Sequence, residues 1–237
     1  MKKIKVISLF IMILLFTGCS IDYNLTILSD KSVKETSYYN NFNVAILANN
    51  NSVEEYYNSI IASYKNVNGF KGFDINKKIY EDKSYLELNK EYTSFDKYLD
   101  SVILKSMFQD PKVYYKKNYM EFDSGTQSLY KDSSAEGSQD GYSINSVNIK
   151  IRFHNNIIDN NADNYDEKTN TLTWTFSKDN INKNIYFKIG NEKRYDIIFI
   201  DFVLDNLISI IIIGGFILIV GLLSFNIYHK NKKNNQL

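Results

Sequence analysis

One cysteine, one proline, one tryptophan and two histidines are all that this chain of 237 residues contains of those types. A single thiol excludes an intramolecular disulfide and any zinc site built on several cysteines. His229 follows a hydrophobic run near the C-terminus, which leaves His154 as the only histidine in the middle of the chain. Imidazole-rich metal sites are thereby excluded, and one general base remains. The scarcity of proline, beside abundant asparagine, lysine, isoleucine and tyrosine, matches the coding bias of an AT-rich genome, so runs such as Asn49-Asn50-Asn51 carry little functional weight. Acidic residues are missing from both ends of the chain. Lys2, Lys3, Lys5, Lys230, Lys232 and Lys233 stand there alone, and without those six the formal charge of +1 becomes 22 basic residues against 27 acidic ones. A net acidic middle argues against nucleic acid as a partner and against electrostatic clamping onto anionic head groups.

What is present at the two ends is hydrophobic. Lys2, Lys3 and Lys5 precede the apolar run from Val6 to Phe16, the charged-then-apolar layout of a secretory signal. That run is too short to cross a bilayer, whose core needs about 20 apolar helical residues. Phe16-Thr17-Gly18-Cys19 follows, and it resembles the lipobox of bacterial lipoproteins, with Phe16 where leucine is usual and with the chain's only thiol at the acylated position. The competing interpretation is a buried structural cysteine, but nothing around Cys19 has the pattern of a core element. Near the other end no charged residue occurs from Leu207 to Phe225, and the run is apolar on every face, as lipid requires. Lys230, Lys232 and Lys233 follow it, whereas Asp196, Asp201 and Asp205 precede it, which places the tail in the cytoplasm. The expected organisation is a lipoprotein signal peptide over 1–18, an extracytoplasmic domain over 19–190, a juxtamembrane linker over 191–206, a transmembrane helix over 207–228 and a basic cytoplasmic tail over 229–237.

Periodicity then predicts the fold of the middle. Ile21, Tyr23, Leu25 and Ile27 alternate with Asp22, Asn24 and Thr26, a half-buried strand, and Ser29-Asp30-Lys31-Ser32 supplies a turn into a second strand over Val33 to Val44. Ser52-Val53-Glu54-Glu55 has capping-box spacing, and Val53, Tyr56, Tyr57, Ile60, Ile61 and Tyr64 form one helical stripe that Asn68-Gly69 ends. Phe73 to Tyr80 and Tyr85 to Tyr92 read as strands, and Phe95, Tyr98, Leu99, Val102 and Ile103 as a second helical stripe capped by Thr93 or Ser94. Lys112 to Phe122 is extended, while the polar stretch from Asp123 to Gly141 reads as a loop. Val147, Ile149, Ile151 and Phe153, then Leu172, Trp174 and Phe176, alternate with polar residues, and Ile185 to Ile189 suits a last strand. The expected fold class is α+β, an antiparallel sheet with about two packing helices. Trp174 is expected in the core.

Motifs for catalysis are thin. Ser94-Phe95-Asp96-Lys97 and Ser128-Leu129-Tyr130-Lys131 both match the Ser-x-x-Lys spacing, without the companion motifs that penicillin-interacting enzymes carry. His154 is expected at a surface or strand edge. Asp159, Asp163 and Asp166 lack the glycine and distal glutamate of a calcium loop and read as a solvated turn. No catalytic residue, metal or cofactor is assigned.

Two stretches carry a family resemblance: Cys19-Ser-Ile-Asp-Tyr-Asn-Leu-Thr-Ile-Leu-Ser-Asp-Lys-Ser-Val, and His154 to Asp163 continued by Thr171-Leu-Thr-Trp-Thr-Phe. They resemble the beginning and end of the exported domain in LppM-type bacterial lipoproteins, which also join a lipidated cysteine, an α+β domain and a C-terminal transmembrane helix. The resemblance implies a module that binds lipid or another small apolar ligand at the cell envelope, and no catalytic residues to carry over. A pocket for that ligand is expected between Tyr56, Tyr57, Ile60 and Tyr64 on the helix and Ile149, Ile151 and Phe153 on the sheet. The alternative is a non-enzymatic accessory subunit of a membrane complex. Partners are membrane lipid, reached through Cys19 and the C-terminal helix, and either an apolar ligand or a membrane protein.

Overall fold

The structure is a computed structural model that describes residues 19–39, 55, 58, 61–62, 64–80, 83–129, 144–180 and 182–234. Strands β1 (Cys19–Ile27) and β2 (Val33–Tyr39) make the opening hairpin. Leu28 N–H donates to Ser32 O at 2.9 Å, and the Asp30 carboxylate accepts from both Ser32 N–H and Ser32 Oγ, which closes the turn through a side chain suited to it. The described part of β2 ends at Tyr39; the expected continuation to Val44 lies outside the described residues. So do Ser52, Val53, Tyr56, Tyr57 and Ile60 of the first helical stripe, while Glu55, Asn58, Ile61, Ala62, Tyr64 and Lys65 are helical and a 3-10 turn follows at Asn68–Phe70.

Strands β3 (Asp74–Tyr80) and β4 (Lys83–Tyr92) pair as expected. The second helical stripe is split into α1 (Phe95–Tyr98) and α2 (Val102–Met107). Ser94 caps the first, and Ser101 interrupts the stripe because its Oγ accepts from Ile103 N–H and Leu104 N–H and so begins a new helix. Next come β5 (Phe108–Gln109), β6 (Lys112–Tyr115), β7 (Tyr119–Asp123) and β8 (Thr126–Gln127). The stretch expected to be a loop from Asp123 therefore opens instead with a strand, and Ser124 and Gln127 are buried. Polar residues misread as loop here satisfy neighbouring backbone, since Ser124 Oγ accepts Ile185 N–H at 2.8 Å. Gly125 is required between them: its φ is +69°, and a Cβ would sit 2.1 Å from Gln109 O. Residues 130–143 lie outside the described ones.

The last strands are β9 (Ile144–Phe153), β10 (Asn155–Asn160), β11 (Asn164–Asp166), β12 (Thr171–Phe176) and β13 (Tyr186–Lys193). They complete a seven-stranded sheet in the order β11-β12-β9-β1-β2-β4-β3, a four-stranded sheet β10-β13-β7-β6, and the small β5-β8 pair. Pairing is antiparallel except between β1 and β9, which run parallel from Cys19 opposite Ile144 to Ile27 opposite Phe153. The domain is α+β. Its core joins both larger sheets and α1: Phe153 meets Phe187 with ring centroids 4.9 Å apart, Phe187 meets Phe122 at 5.1 Å, and Phe122 meets Phe95 at 5.2 Å. Mostly edge-on geometry of this kind suits the aromatic quadrupole and fills volume densely.

A second compact unit begins at Tyr195. The expected linker is helical over α3 (Tyr195–Asp205), and α4 (Leu207–Asn234) follows. Within α4 the 19 residues Leu207–Phe225 are long and apolar enough to cross a membrane.

Candidate functional site: a carboxylate sealed in the core

Alternation along β2 points Val33, Glu35 and Ser37 inward, so the strand brings one ionisable side chain to the apolar face of the large sheet. Glu35 is 1% exposed. A bare carboxylate in that position would be untenable, and the surroundings supply three hydroxyl donors. Ser101 Oγ and the Tyr23 hydroxyl donate to Oε1, the former at 2.6 Å, and the Tyr92 hydroxyl donates to Oε2 at 2.6 Å. With the Tyr23 proton committed to Glu35, the 2.9 Å contact between the Tyr23 and Tyr98 oxygens is a donation from Tyr98. Each donor comes from a different element: Tyr23 from β1, Tyr92 from the end of β4, Tyr98 from α1, and Ser101 from the cap of α2. Lys90 stands directly opposite Glu35 on β4, with its ammonium 4.8 Å from the Phe73 ring centroid and 5.1 Å from that of Tyr92, and it donates to Lys71 O.

Burial raises the Glu35 carboxyl above the ordinary glutamate range; the donors Ser101, Tyr23 and Tyr92, and the charge of Lys90, pull it back only in part. Burial likewise pushes the Tyr23 and Tyr98 hydroxyls well above the usual tyrosine value, so they remain donors at any working pH. The cluster can hold or release one proton inside the fold. Because the folded form keeps that proton at a pH where the unfolded chain has lost it, this group's contribution is most favourable below the ordinary glutamate pKa of about 4.3 and fades as pH rises through the folded value. Glu35→Gln removes this dependence. Between pH 5 and pH 7.5, the stability of the wild type relative to Glu35→Gln should therefore fall as pH rises, which urea unfolding followed by Trp174 fluorescence measures; a difference independent of pH refutes the assignment.

The residues singled out by sequence sit as follows. Ile149, Ile151 and Phe153 are at most 1% exposed. Ile149 lies between Tyr23 and Trp174, Ile151 between Leu25 and Leu172, and Phe153 opposite Ile27. Tyr64 is half-buried against the same core, edge-on to Phe70 at 4.6 Å. Tyr56, Tyr57 and Ile60 lie outside the described residues. Trp174 is fully buried, and its Nε1 donates to Asn161 Oδ1 at 2.8 Å. His154 is 7% exposed rather than at the surface, because the chain passes straight from β9 into β10 there and its backbone is held on both sides, N–H by Ile27 O and C=O by Arg194 N–H. Asp159, Asp163 and Asp166 are exposed, with Asp163 paired to Lys183 and Asp166 accepting from Lys168 N–H and Thr169 Oγ1 within its own turn. Ser94 serves as a helix cap, and Ser128 Oγ donates to Ser106 O. Among the described residues, no group of three or more His, Cys, Asp or Glu is placed to hold a metal ion.

The Glu35 cluster is not among the sites expected from the sequence. Glu35 falls on the same alternation phase as Val33, which turns it inward, but that phase says nothing of the hydroxyls that make a buried carboxylate tenable.

No family model matches the chain, and no curated protein matches it. Among solved structures it is similar to the folded domain of LppM from Mycobacterium tuberculosis, determined by NMR, with a TM-score of 0.48 and 9% identity over 76% of this chain and 95% of that one.

Proposed function

We propose that the chain is a lipoprotein of the cell envelope, anchored by an acylated Cys19 and by the Leu207–Phe225 helix with its basic tail in the cytoplasm, whose extracytoplasmic domain binds a lipid or another apolar ligand. The observation that carries the membrane part is the helix itself, 19 residues without a charge and with none of its length buried. The ligand part is supported by the sequence resemblance to LppM-type lipoproteins and by an aromatic-rich core against which Tyr64 packs half-buried. The reading is non-enzymatic: Glu35, the buried carboxylate described above, is closed to any substrate by its own hydrogen-bond donors.

A second reading, an accessory subunit of a membrane complex, is favoured by the complete burial of Ile149, Ile151 and Phe153 in one continuous core. One substitution separates the two. If β9 borders a ligand site, Ile149→Trp fills it: native mass spectrometry of residues 20–205 purified without detergent detects lipid on the wild type and none on the variant, while unfolding is little changed. In a packed core the same change destabilises by about 1–3 kcal/mol through overpacking. Loss of stability in a fragment that never carried lipid refutes the ligand reading and leaves the accessory subunit.

A further inference from the structure

We infer that the free edge of β6 accepts an added β-strand: an extended segment of a partner protein that carries acidic residues at alternate positions on either side of an apolar or aromatic one. The inference needs neither the ligand nor the membrane anchors proposed above. Strand β6 ends the four-stranded sheet β10-β13-β7-β6. Where its hairpin with β7 closes, Lys116 N–H donates to Tyr119 O at 2.9 Å. In an antiparallel ladder that bond fixes the phase: Tyr114 with Glu121 and Lys112 with Asp123 are the pairs that exchange bonds, while Val113 and Tyr115 turn both N–H and C=O to the open side. Donors and acceptors are thus aligned along a regular strand, the template that strand addition uses.

Side chains decide which strand fits. Met120 and Phe122 of β7 are buried in the core, so Glu121 and Asp123 face outward, and their directly opposite partners Tyr114 and Lys112 share that face. Lys116 continues the phase. From Pro111 to Met120 the sequence holds three lysines and no acidic residue, although the middle of the chain is net acidic. Lys112, Lys116 and Lys117 are exposed. Neighbouring carboxylates are committed elsewhere: Glu121 lies 3.7 Å from the Lys188 ammonium, Asp123 accepts from Gly125 N–H and Asn184 Nδ2, and Asp96 of α1 accepts from the Tyr115 hydroxyl. Tyr114, 47% exposed, supplies apolar surface between Lys112 and Lys116. Like charge repels a second copy of this edge and suits an acidic strand, whose residues opposite Lys112, Tyr114 and Lys116 fall at i, i+2 and i+4. The other ends of the two larger sheets are less suited. Strand β10 shifts register on either side of Ile157, β11 has three residues, and β3 mixes Asp74 with Lys77 and Lys78, the last paired to Glu87.

The test titrates the full chain in detergent into fluorescein-labelled peptides and follows their anisotropy. The first peptide alternates threonine with glutamate, tyrosine and glutamate in turn. The second has lysine for both glutamates, and the third is the first peptide N-methylated at the threonines that lie opposite Val113 and Tyr115. Binding of the first peptide alone is expected. Lys112→Glu combined with Lys116→Glu should weaken that binding by about tenfold or more, since two attractions become repulsions, and should make the lysine peptide the tighter ligand. The three-peptide comparison on the wild type stands by itself if the double variant does not fold. Equal binding of the N-methylated peptide overturns strand addition and leaves charge attraction alone. Failure of the glutamate peptide to bind, or binding unchanged in a charge-reversed chain that unfolds at the wild-type temperature, overturns the site. Self-association of the wild type that the reversal abolishes makes a second copy the occupant and overturns the acidic partner.

Discussion

Glu35→Ala is expected to destabilise the domain by about 3–5 kcal/mol, the lower part of the range for leaving three buried hydroxyl donors without their acceptor. The physical source is the set of partners left behind. Tyr23, Tyr92 and Ser101 each lose an acceptor in a region that water does not reach, and an orphaned buried donor costs roughly 1–3 kcal/mol. The loss should not be local, because the donors come from β1, β4 and the α2 cap, so one carboxylate ties the helical segment to the middle of the large sheet. Glu35→Gln keeps the shape and one acceptor oxygen, and the hydroxyls can turn, so its cost should be clearly smaller. Urea unfolding of the full chain in detergent, followed by Trp174 fluorescence, gives both values. Equal effects of alanine and glutamine would show that volume rather than hydrogen bonding governs the site.

Trp174→Ala is expected to cost about 3–5 kcal/mol, the range for emptying a large aromatic site, and a loss of that size is a substantial part of the 5–15 kcal/mol that holds a typical domain. Trp174 is fully buried beside Ile149 of β9, and Ile149 is itself held between β1 and β12, which limits collapse into the space the indole leaves. Its Nε1 bond is the lesser part, since Asn161 Oδ1 also accepts Tyr186 N–H at 2.8 Å and keeps a partner when the indole is removed. Trp174→Phe should accordingly recover most of the loss. Thermal unfolding by circular dichroism separates the two variants, and an unchanged midpoint for Trp174→Ala would refute its place in the core.

The elements that could be read from the sequence are those whose environment dictates composition residue by residue. An apolar helix in lipid must be free of charge along its whole length, and Leu207–Phe225 declares itself by that rule alone. A strand with one face in the core alternates, and β1, β9 and β12 do so through Tyr23-Leu25-Ile27, Val147-Ile149-Ile151-Phe153 and Leu172-Trp174-Phe176. Helix breaks and polar strands were harder, because there the deciding partner is distant in the chain. Ser101 ends one helical stripe and caps the next while donating to a glutamate on β2, and Ser124 and Gln127 are buried in what composition presents as a loop.

Sequence by itself thus determined the α+β class, the membrane-compatible helix and the inward phase of most strands, since these follow from local transfer free energies that each residue carries with it. Only the tertiary structure decided that β1 lies parallel to β9, that His154 is covered where β9 turns into β10, and that Glu35 is a buried carboxylate rather than a rim charge. Parallel pairing joins strands far apart in the chain, with no turn to set their register. The burial of Glu35 depends on hydroxyls from Tyr23, Tyr92 and Ser101 arriving together, which no period along β2 can encode.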